Sequence, residues 1–273
     1  MTGTNAGAVA ALNHQTVALM GLDVARCSQQ ALLDAISQDL AAGRGTWLVT
    51  ANMDFLSRAR RDPHIAALYR QSDLIIADGM PLVWASRLAG APIPERIAGS
   101  SLMFELAACC ARQGRSMYLL GGVDGNEARA AEALSRMYPG LRIAGHHSPW
   151  TGVPPSPVEL AGIDAALTDS GDVDVILVAM GSPKQEYVAH ALRRRQPQAL
   201  IIGVGASFAF ATGDLARAPQ LMQRLGLEWA HRMLQDPRRL IRRYLMDNLP
   251  VVIRLLAASL WRRFRDWGGH RNR

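Results

Sequence analysis

Cysteine is scarce: Cys27, Cys109 and Cys110 are the only three in 273 residues, and no two form a CxxC pair. That is too few for a disulfide framework, and a reduced, cytoplasmic compartment is expected. Lysine is scarcer still. Lys184 stands alone among 30 basic residues, a bias toward arginine that gives this lysine no role by itself. With 24 glycines and 14 prolines the chain is neither collagen-like nor of low complexity. No uninterrupted apolar run is long enough to span a bilayer. The nearest, Tyr244 to Trp261, is broken by Asp247, Asn248, Pro250 and Arg254. The first 14 residues lack a basic segment ahead of an apolar one, so no secretory signal is read there, and residues 1–15 read as a loose tail. HExxH, GxSxG, Walker A and GxGxxG patterns are all missing, and the DxD run Asp172-Val173-Asp174 is not read as a metal-diphosphate clamp because it enters a strand. The pair His146-His147 has no acid or cysteine at ligand spacing, so neither a metal nor another cofactor is expected.

What is present points to a large buried core: 49% of residues are hydrophobic and 19% charged. The net charge of +7 is unevenly placed. Residues 222–273 hold 12 arginines against 4 acids, a net of +8, which leaves the preceding 221 residues at −1. A neutral body with a basic last fifth implies a phosphate-bearing partner, either a membrane surface or nucleic acid.

Short apolar runs alternate with helical patterns. Strands are expected at Thr16–Leu22, Thr46–Thr50, Leu74–Ile76, Ser116–Leu120, Arg142–Ala144, Asp174–Met180 and Leu200–Val204. Helices are expected from about Ser28 to Ala42, Asn126 to Tyr138 and Lys184 to Arg195. Continuous apolar strands separated by helices indicate an α/β fold, a Rossmann-like parallel sheet covered on both faces. The domain reading is an α/β unit over 16–221 followed by a basic helical appendage over 222–273. The proline-rich stretch 148–157 reads as a loop, and the Asp172-Val173-Asp174 run reads as the entry to a strand.

Ligands bind such sheets beyond the carboxyl ends of the strands, so four strand-to-helix turns stand out. Thr50-Ala51-Asn52 offers a hydroxyl and an amide, or a helix cap. Asp78-Gly79 offers a carboxylate base, or a turn former, and downstream Arg96 could meet an anion. Gly121-Gly122 would let a diphosphate approach the N–H groups of a helix start. Gly181-Ser182-Pro183-Lys184-Gln185-Glu186 combines a glycine for close approach with Lys184 for phosphate and Gln185 for a sugar or base.

Taken together these motifs resemble the WecG/TagA/CpsF glycosyltransferases (glycosyltransferase family 26). The resemblance runs in order over roughly residues 16–245. It rests on Thr50-Ala51-Asn52, Asp78-Gly79, Arg96-Ile97-Ala98-Gly99, Leu119 to Gly122, Gly181 to Glu186, Gly203-Val204-Gly205 with Phe208, Arg217-Ala218-Pro219, Leu227-Glu228-Trp229, and a basic end with Arg232, Pro237, Arg238 and Arg239. It implies an inverting, metal-independent transfer from a UDP-sugar donor to a polyprenyl-diphosphate-linked saccharide acceptor. The enzyme would work at the inner face of the membrane, in cell-surface or exopolysaccharide synthesis. Asp78 would be the base, with Arg96, Thr50 and Asn52 beside it. Gly99, Gly121, Gly122, Gly181, Lys184, Gln185, Glu186 and Gly205 would bind substrate, and Arg232, Arg239 and Arg242 would supply charge to a diphosphate. One departure is plain: many relatives carry Phe-Asp where this chain has Phe208-Ala209, and that Asp is expected near the nucleotide.

The segment from about Leu245 is expected to lie on the membrane surface, with Leu249, Val252, Ile253, Leu256 and Leu260 at helical spacing and Pro250 in the first turn or at a kink. The competing reading is a nucleic-acid-binding protein that uses the arginine-rich segment and its aromatics to stack on bases. The apolar positions favour the membrane, and nucleic acid is not expected as a partner. A dinucleotide-dependent dehydrogenase is disfavoured because the glycine fingerprint is missing.

Overall fold

The protein is described from a computed structural model covering residues 7–269 apart from 124, 220, 223–226, 236 and 238–242. Six parallel strands form the sheet: β3 (Thr46–Ala51), β4 (Leu74–Ala77), β5 (Ser116–Gly121), β6 (Arg142–His147), β7 (Val175–Ala179) and β8 (Leu200–Gly203), in the order β4-β3-β8-β7-β5-β6. Strands β4, β5 and β7 are buried at every position, as unbroken apolar runs require of a sheet covered on both faces.

One face is packed by α3 (Met53–Arg61), α4 (Pro63–Tyr69), α5 (Met80–Leu88), α8 (Pro157–Asp169) and α9 (Lys184–Arg195). The other is packed by α1 (Ala8–Asn13), α2 (Gln29–Ala41), α6 (Gly99–Gln113), α7 (Asn126–Met137) and the short α10 (Phe208–Ala211). Along the sheet from β3 through β8, β7 and β5 to β6, neighbouring strands send their chains to opposite faces, while β4 sends its chain to the same face as β3. α3 and α9 leave β3 and β7 on one side, while α10 and α7 leave β8 and β5 on the other, and a crevice opens along the carboxyl edge.

Two expectations at the start of the chain are corrected. Thr16–Leu22 is not one strand. Met20 (φ 50°) and Gly21 (φ 82°) turn the chain between β1 (Thr16–Leu19) and β2 (Leu22–Ala25), an antiparallel hairpin outside the main sheet. Part of the stretch read as a loose tail is α1. Val9 is buried, and the backbone N–H groups of Ala8 and Val9 donate to the Asp39 carboxylate at 2.7 and 3.0 Å. Strand β6 is also longer than its apolar residues suggested. It pairs with β5 through His146 and His147, because backbone pairing does not require apolar side chains on an edge strand.

Asp174 sits at the entry to β7, away from the carboxyl edge. Burial pushes its pKa up, but hydrogen bonds from the Ser116 backbone and hydroxyl and from Arg115 outweigh this and hold it below the ordinary value. Burial raises the Cys27 thiol to about 11 and the Cys110 thiol to about 12, so neither is a thiolate nucleophile near neutral pH.

Most of the described residues of the basic end are helical. After α11 (Glu228–Gln235), a π-helical turn (Arg243–Asn248) leads into α12 (Leu249–Gly269), with Pro250 in its first turn, where a missing N–H costs nothing. α12 lies against α5 and buries Val251 and Leu255 in the core, with Val252 and Leu256 packed at its margin. It is fastened by Asn248 Nδ2 to Asp54 (2.9 Å), Arg61 to Asp247 (2.5 Å) and Arg262 to the Ala18 carbonyl (3.0 Å). Val252 and Leu256 thus do not belong to the outer stripe. Leu249, Ile253, Leu260, Trp261 and Phe264 face outward. No helix among the described residues is long and apolar enough to cross a membrane.

Candidate active site

The pairing of β3 with β4 sets Ala51 beside Ala77, so the next residues, Asn52 and Asp78, emerge side by side at the sheet's edge. The Asp78 N–H donates to the Ala51 carbonyl at 2.8 Å. A Cβ on Gly79 would lie 3.8 Å from Asn52 Cα. The chain returns after α5, and the Ile97 N–H joins the Ala77 carbonyl at 2.9 Å. That places Arg96 over Asp78, with Arg96 Nη1 to Asp78 Oδ1 at 3.8 Å.

α6 then starts at Gly99, whose N–H donates to Asp78 Oδ2 at 3.1 Å. The Asp78 carboxylate thus sits at the positive end of a 15-residue helix. Gly99 has little room for a side chain: a Cβ would meet Thr50 Oγ1 at 3.1 Å and Thr50 Cγ2 at 3.3 Å. Thr50, Asn52, Asp78, Arg96 and Gly99, from three separate motifs, are therefore one cluster. Asn52 also caps α3, its side-chain oxygen accepting from the Phe55 N–H at 3.2 Å, so it serves as a helix cap from within this cluster.

Gln185 reaches this cluster from α9. Its Oε1 accepts from the Gly205 N–H at 3.1 Å, and its amide packs on Gly203, where a Cβ would lie 2.5 Å away. The Thr50 hydroxyl lies 3.5 Å from the Gly203 carbonyl, so β3, β8 and α9 meet here. Glu186 departs from its expected place at the open mouth. It is buried and accepts from Gln185 Nε2 at 2.9 Å. Burial raises its pKa, with hydrogen bonds from Gln185 and Ser182 opposing. Glu186 thus orients Gln185 from behind. Lys184 stays at the mouth, its Nζ 5.8 Å from the ring of the exposed Trp150, and Gly181 (φ 69°) turns the chain into this segment.

The Gly121-Gly122 turn lies on the other side of the crevice. The Gly122 N–H donates to the Ala179 carbonyl at 2.9 Å. Gly121 (φ 92°) is pressed so closely on β7 that a Cβ would sit 2.8 Å from the same oxygen. Of the arginines expected near a diphosphate, Arg232 lies on α11, Arg238, Arg239 and Arg242 fall outside the described residues, and the side chain of Arg232 does too. Among the described residues no three His, Cys, Asp or Glu side chains gather to hold a metal ion.

One contact has no counterpart in the sequence reading. Arg96 Nη1 donates to Glu228 Oε2 at 2.5 Å, and the two side chains are only 15% and 16% exposed. In the sequence Glu228 stands only within the Leu227-Glu228-Trp229 run. The available signal was its sign: it is one of four acids in a segment with 12 arginines. Arg217, from the Arg-Ala-Pro motif, anchors the approach to α11, with a 2.8 Å hydrogen bond to Ser101 and its guanidinium over Phe104.

A parallel sheet with a carboxylate, an arginine, an amide and a hydroxyl gathered at its carboxyl edge has the ligand-site layout of an α/β enzyme, and the chain belongs to the WecG/TagA/CpsF glycosyl transferase family, whose profile matches residues 17–265. Among curated proteins it is similar to N-acetylglucosaminyldiphosphoundecaprenol N-acetyl-beta-D-mannosaminyltransferase of Bacillus spizizenii. The two are 34% identical over 200 residues, which cover 73% of this chain and 75% of that protein.

Proposed function

We propose that the protein transfers a hexose-type sugar, of the N-acetylmannosamine kind, from a UDP-sugar to a polyprenyl-diphosphate-linked saccharide during cell-surface or exopolysaccharide synthesis. The observation that supports this most is the cluster around Gly99: a carboxylate, a guanidinium and two neutral polar groups at the end of β3 and β4. The relative's name supplies the acceptor class, an undecaprenol-linked N-acetylglucosaminyl diphosphate, and the transferred sugar.

In this reading Asp78 takes the proton of the acceptor hydroxyl as that oxygen attacks the anomeric carbon, and UDP leaves from the opposite face, which inverts the configuration. The Gly99 N–H and Arg96 keep Asp78 ionised and aimed. Positive charge for the departing diphosphate comes from Arg96 and the arginines of the basic segment, through bidentate contacts. Thr50, Asn52 and Gln185 hold the sugars.

The helix α12 supports membrane association at the inner, cytoplasmic face. Leu249, Ile253, Leu260 and Phe264 form an outward apolar stripe at helical spacing, flanked by the exposed Arg254 and Arg265. Each such arginine contributes roughly 1 kcal/mol near an anionic surface.

The test is product analysis by mass spectrometry, with a panel of UDP-sugars and a synthetic N-acetylglucosaminyl-diphosphate lipid. Formation of the disaccharide lipid without added divalent metal is expected. Transfer only from donors of another nucleotide, or only to a lipid-free acceptor, would overturn the reading.

A further inference from the structure

The start of α7 carries an unexplained acid. Glu127 is the helix's second residue and is 8% exposed, yet its Oε2 is buried with no hydrogen-bond partner. A Cβ on Gly122 would meet Glu127 Oε2 at 3.4 Å and Phe208 Cδ2 at 3.4 Å, so this oxygen is aimed into the space above the Gly-Gly turn, between α7 and α10. Its neighbour Asn126 also has a buried, unpartnered side-chain oxygen. The N-cap, Gly125, offers no side-chain cap. Two acceptors without donors at one helix start are costly unless something donates to them. The adjoining helix α10 has nothing to offer at Ala209, which bears only a methyl group.

The chemistry of these two oxygens narrows what fits. A diphosphate is itself an acceptor and an anion, so a carboxylate aimed into the space above Gly122 repels it. This contradicts the expectation that the Gly-Gly turn holds the diphosphate on the α7 N-terminus. A neutral diol fits, because its hydroxyls donate where carboxylate and amide oxygens accept. Acidic side chains at the edge of nucleotide-binding parallel sheets take ribose hydroxyls in the same way.

Distance agrees. Four strand spacings of about 4.8 Å separate β4, which presents Asp78, from β5, which presents Gly122, so the two lie roughly 19 Å apart along the edge. A nucleoside diphosphate sugar, with its sugar, two phosphates and ribose in series, suits that reach if its sugar is at Asp78 and its nucleoside is over β5.

We propose that Glu127, helped by Asn126, is the ribose-binding residue of the donor site, and that Gly121 and Gly122 admit the nucleoside rather than the diphosphate. This rests on the UDP-sugar reading above.

The test is calorimetric titration of the full-length protein, wild type, Glu127→Gln and Glu127→Ala, with UDP, 2′-deoxy-UDP, 3′-deoxy-UDP and inorganic diphosphate. Wild type is expected to bind UDP roughly tenfold or more tighter than at least one deoxy analogue, as for a hydrogen bond to a charged group. Both variants should lose most of that discrimination, with inorganic diphosphate bound as well as or better than before. A folded variant that retains the full preference for ribose overturns the assignment, as does wild type binding all three nucleotides alike. Wild type that binds no UDP at all instead sinks the donor reading, and this inference with it. Glu127→Gln keeps the side chain's shape and so separates lost charge from lost packing.

Discussion

Glu228→Gln isolates what the basic segment does for the Asp78 carboxylate, the base of the proposed transfer. Arg96 Nη1 is 2.5 Å from Glu228 Oε2 and 3.8 Å from Asp78 Oδ1, and the three side chains are only 15–21% exposed. Glu228 is thus the nearer of the two carboxylates and competes with Asp78 for the guanidinium. At an effective dielectric of about 20, unit charges 3.8 Å apart attract by about 4.4 kcal/mol, against about 5.9 kcal/mol at a close contact of about 2.8 Å. Once Glu228 is neutral, Arg96 closes on Asp78 and stabilises its anion by about 1.5 kcal/mol more, roughly a tenfold loss of proton affinity. Solvent at this partly open edge trims that figure. A weaker base should slow transfer by roughly threefold to tenfold and carry activity to lower pH. The assay is the steady-state rate with UDP-sugar and lipid acceptor from pH 5 to 9, with UDP affinity measured alongside. A variant with the wild-type rate and an unshifted pH profile would refute the idea that Glu228 positions Arg96.

Asp78→Asn should lower turnover by about 10²–10⁴-fold while UDP affinity changes little, as measured by product formation and titration calorimetry. Ile253→Asp combined with Phe264→Asp should abolish flotation with anionic liposomes and leave the melting temperature unchanged, because both side chains face outward; retained flotation would count against the α12 stripe. Leu255→Ala should instead destabilise the fold by about 2–5 kcal/mol, since that residue is buried against the core, as read by chemical denaturation. Glu186→Gln should change how stability depends on pH. Burial raises the folded-state pKa of Glu186 above the ordinary 4.5, so the folded protein binds more protons than the unfolded chain over that window, and wild type loses stability as pH rises from about 4.5 through the raised value. The glutamine variant should lose this slope in melts across pH; parallel curves would refute it.

The parallel sheet was legible because β4, β5 and β7 are unbroken apolar runs, and the helix at 184–195 because its polar start and arginine end punctuate it. The hairpin at Thr16–Ala25 was missed because Met20-Gly21 carries no strong turn signal and the apolar run continues across it. Thr50, Asn52 and Asp78 were readable as strand-end residues, and the sheet register explains why they meet, while Arg96 is brought to them by the Ile97 N–H bond to the Ala77 carbonyl. Glu228 and Glu127 were not readable. Each is an ordinary surface residue type in its local sequence, and only tertiary packing shows one against Arg96 and the other aimed at Gly122. For Gln185 and Glu186 the motif was evident but the orientation was not, since two successive residues on a helix point in different directions.

The ion pair between Arg96 and Glu228 joins residues 132 positions apart, and Arg262 reaches back 244 positions to the Ala18 carbonyl. Chain growth at about 5–20 residues per second puts about 7–26 s between synthesis of the first pair's two members. During that interval a nascent protein can pair its strands, but the outer side of α5 stays uncovered and Glu228 has not yet reached Arg96. An unfinished chain thus leaves the apolar side of α5 open to solvent until Val251 and Leu255 arrive. The ion pair beside Asp78 and the cover of α5 therefore both form late in synthesis, from the same closing stretch of chain.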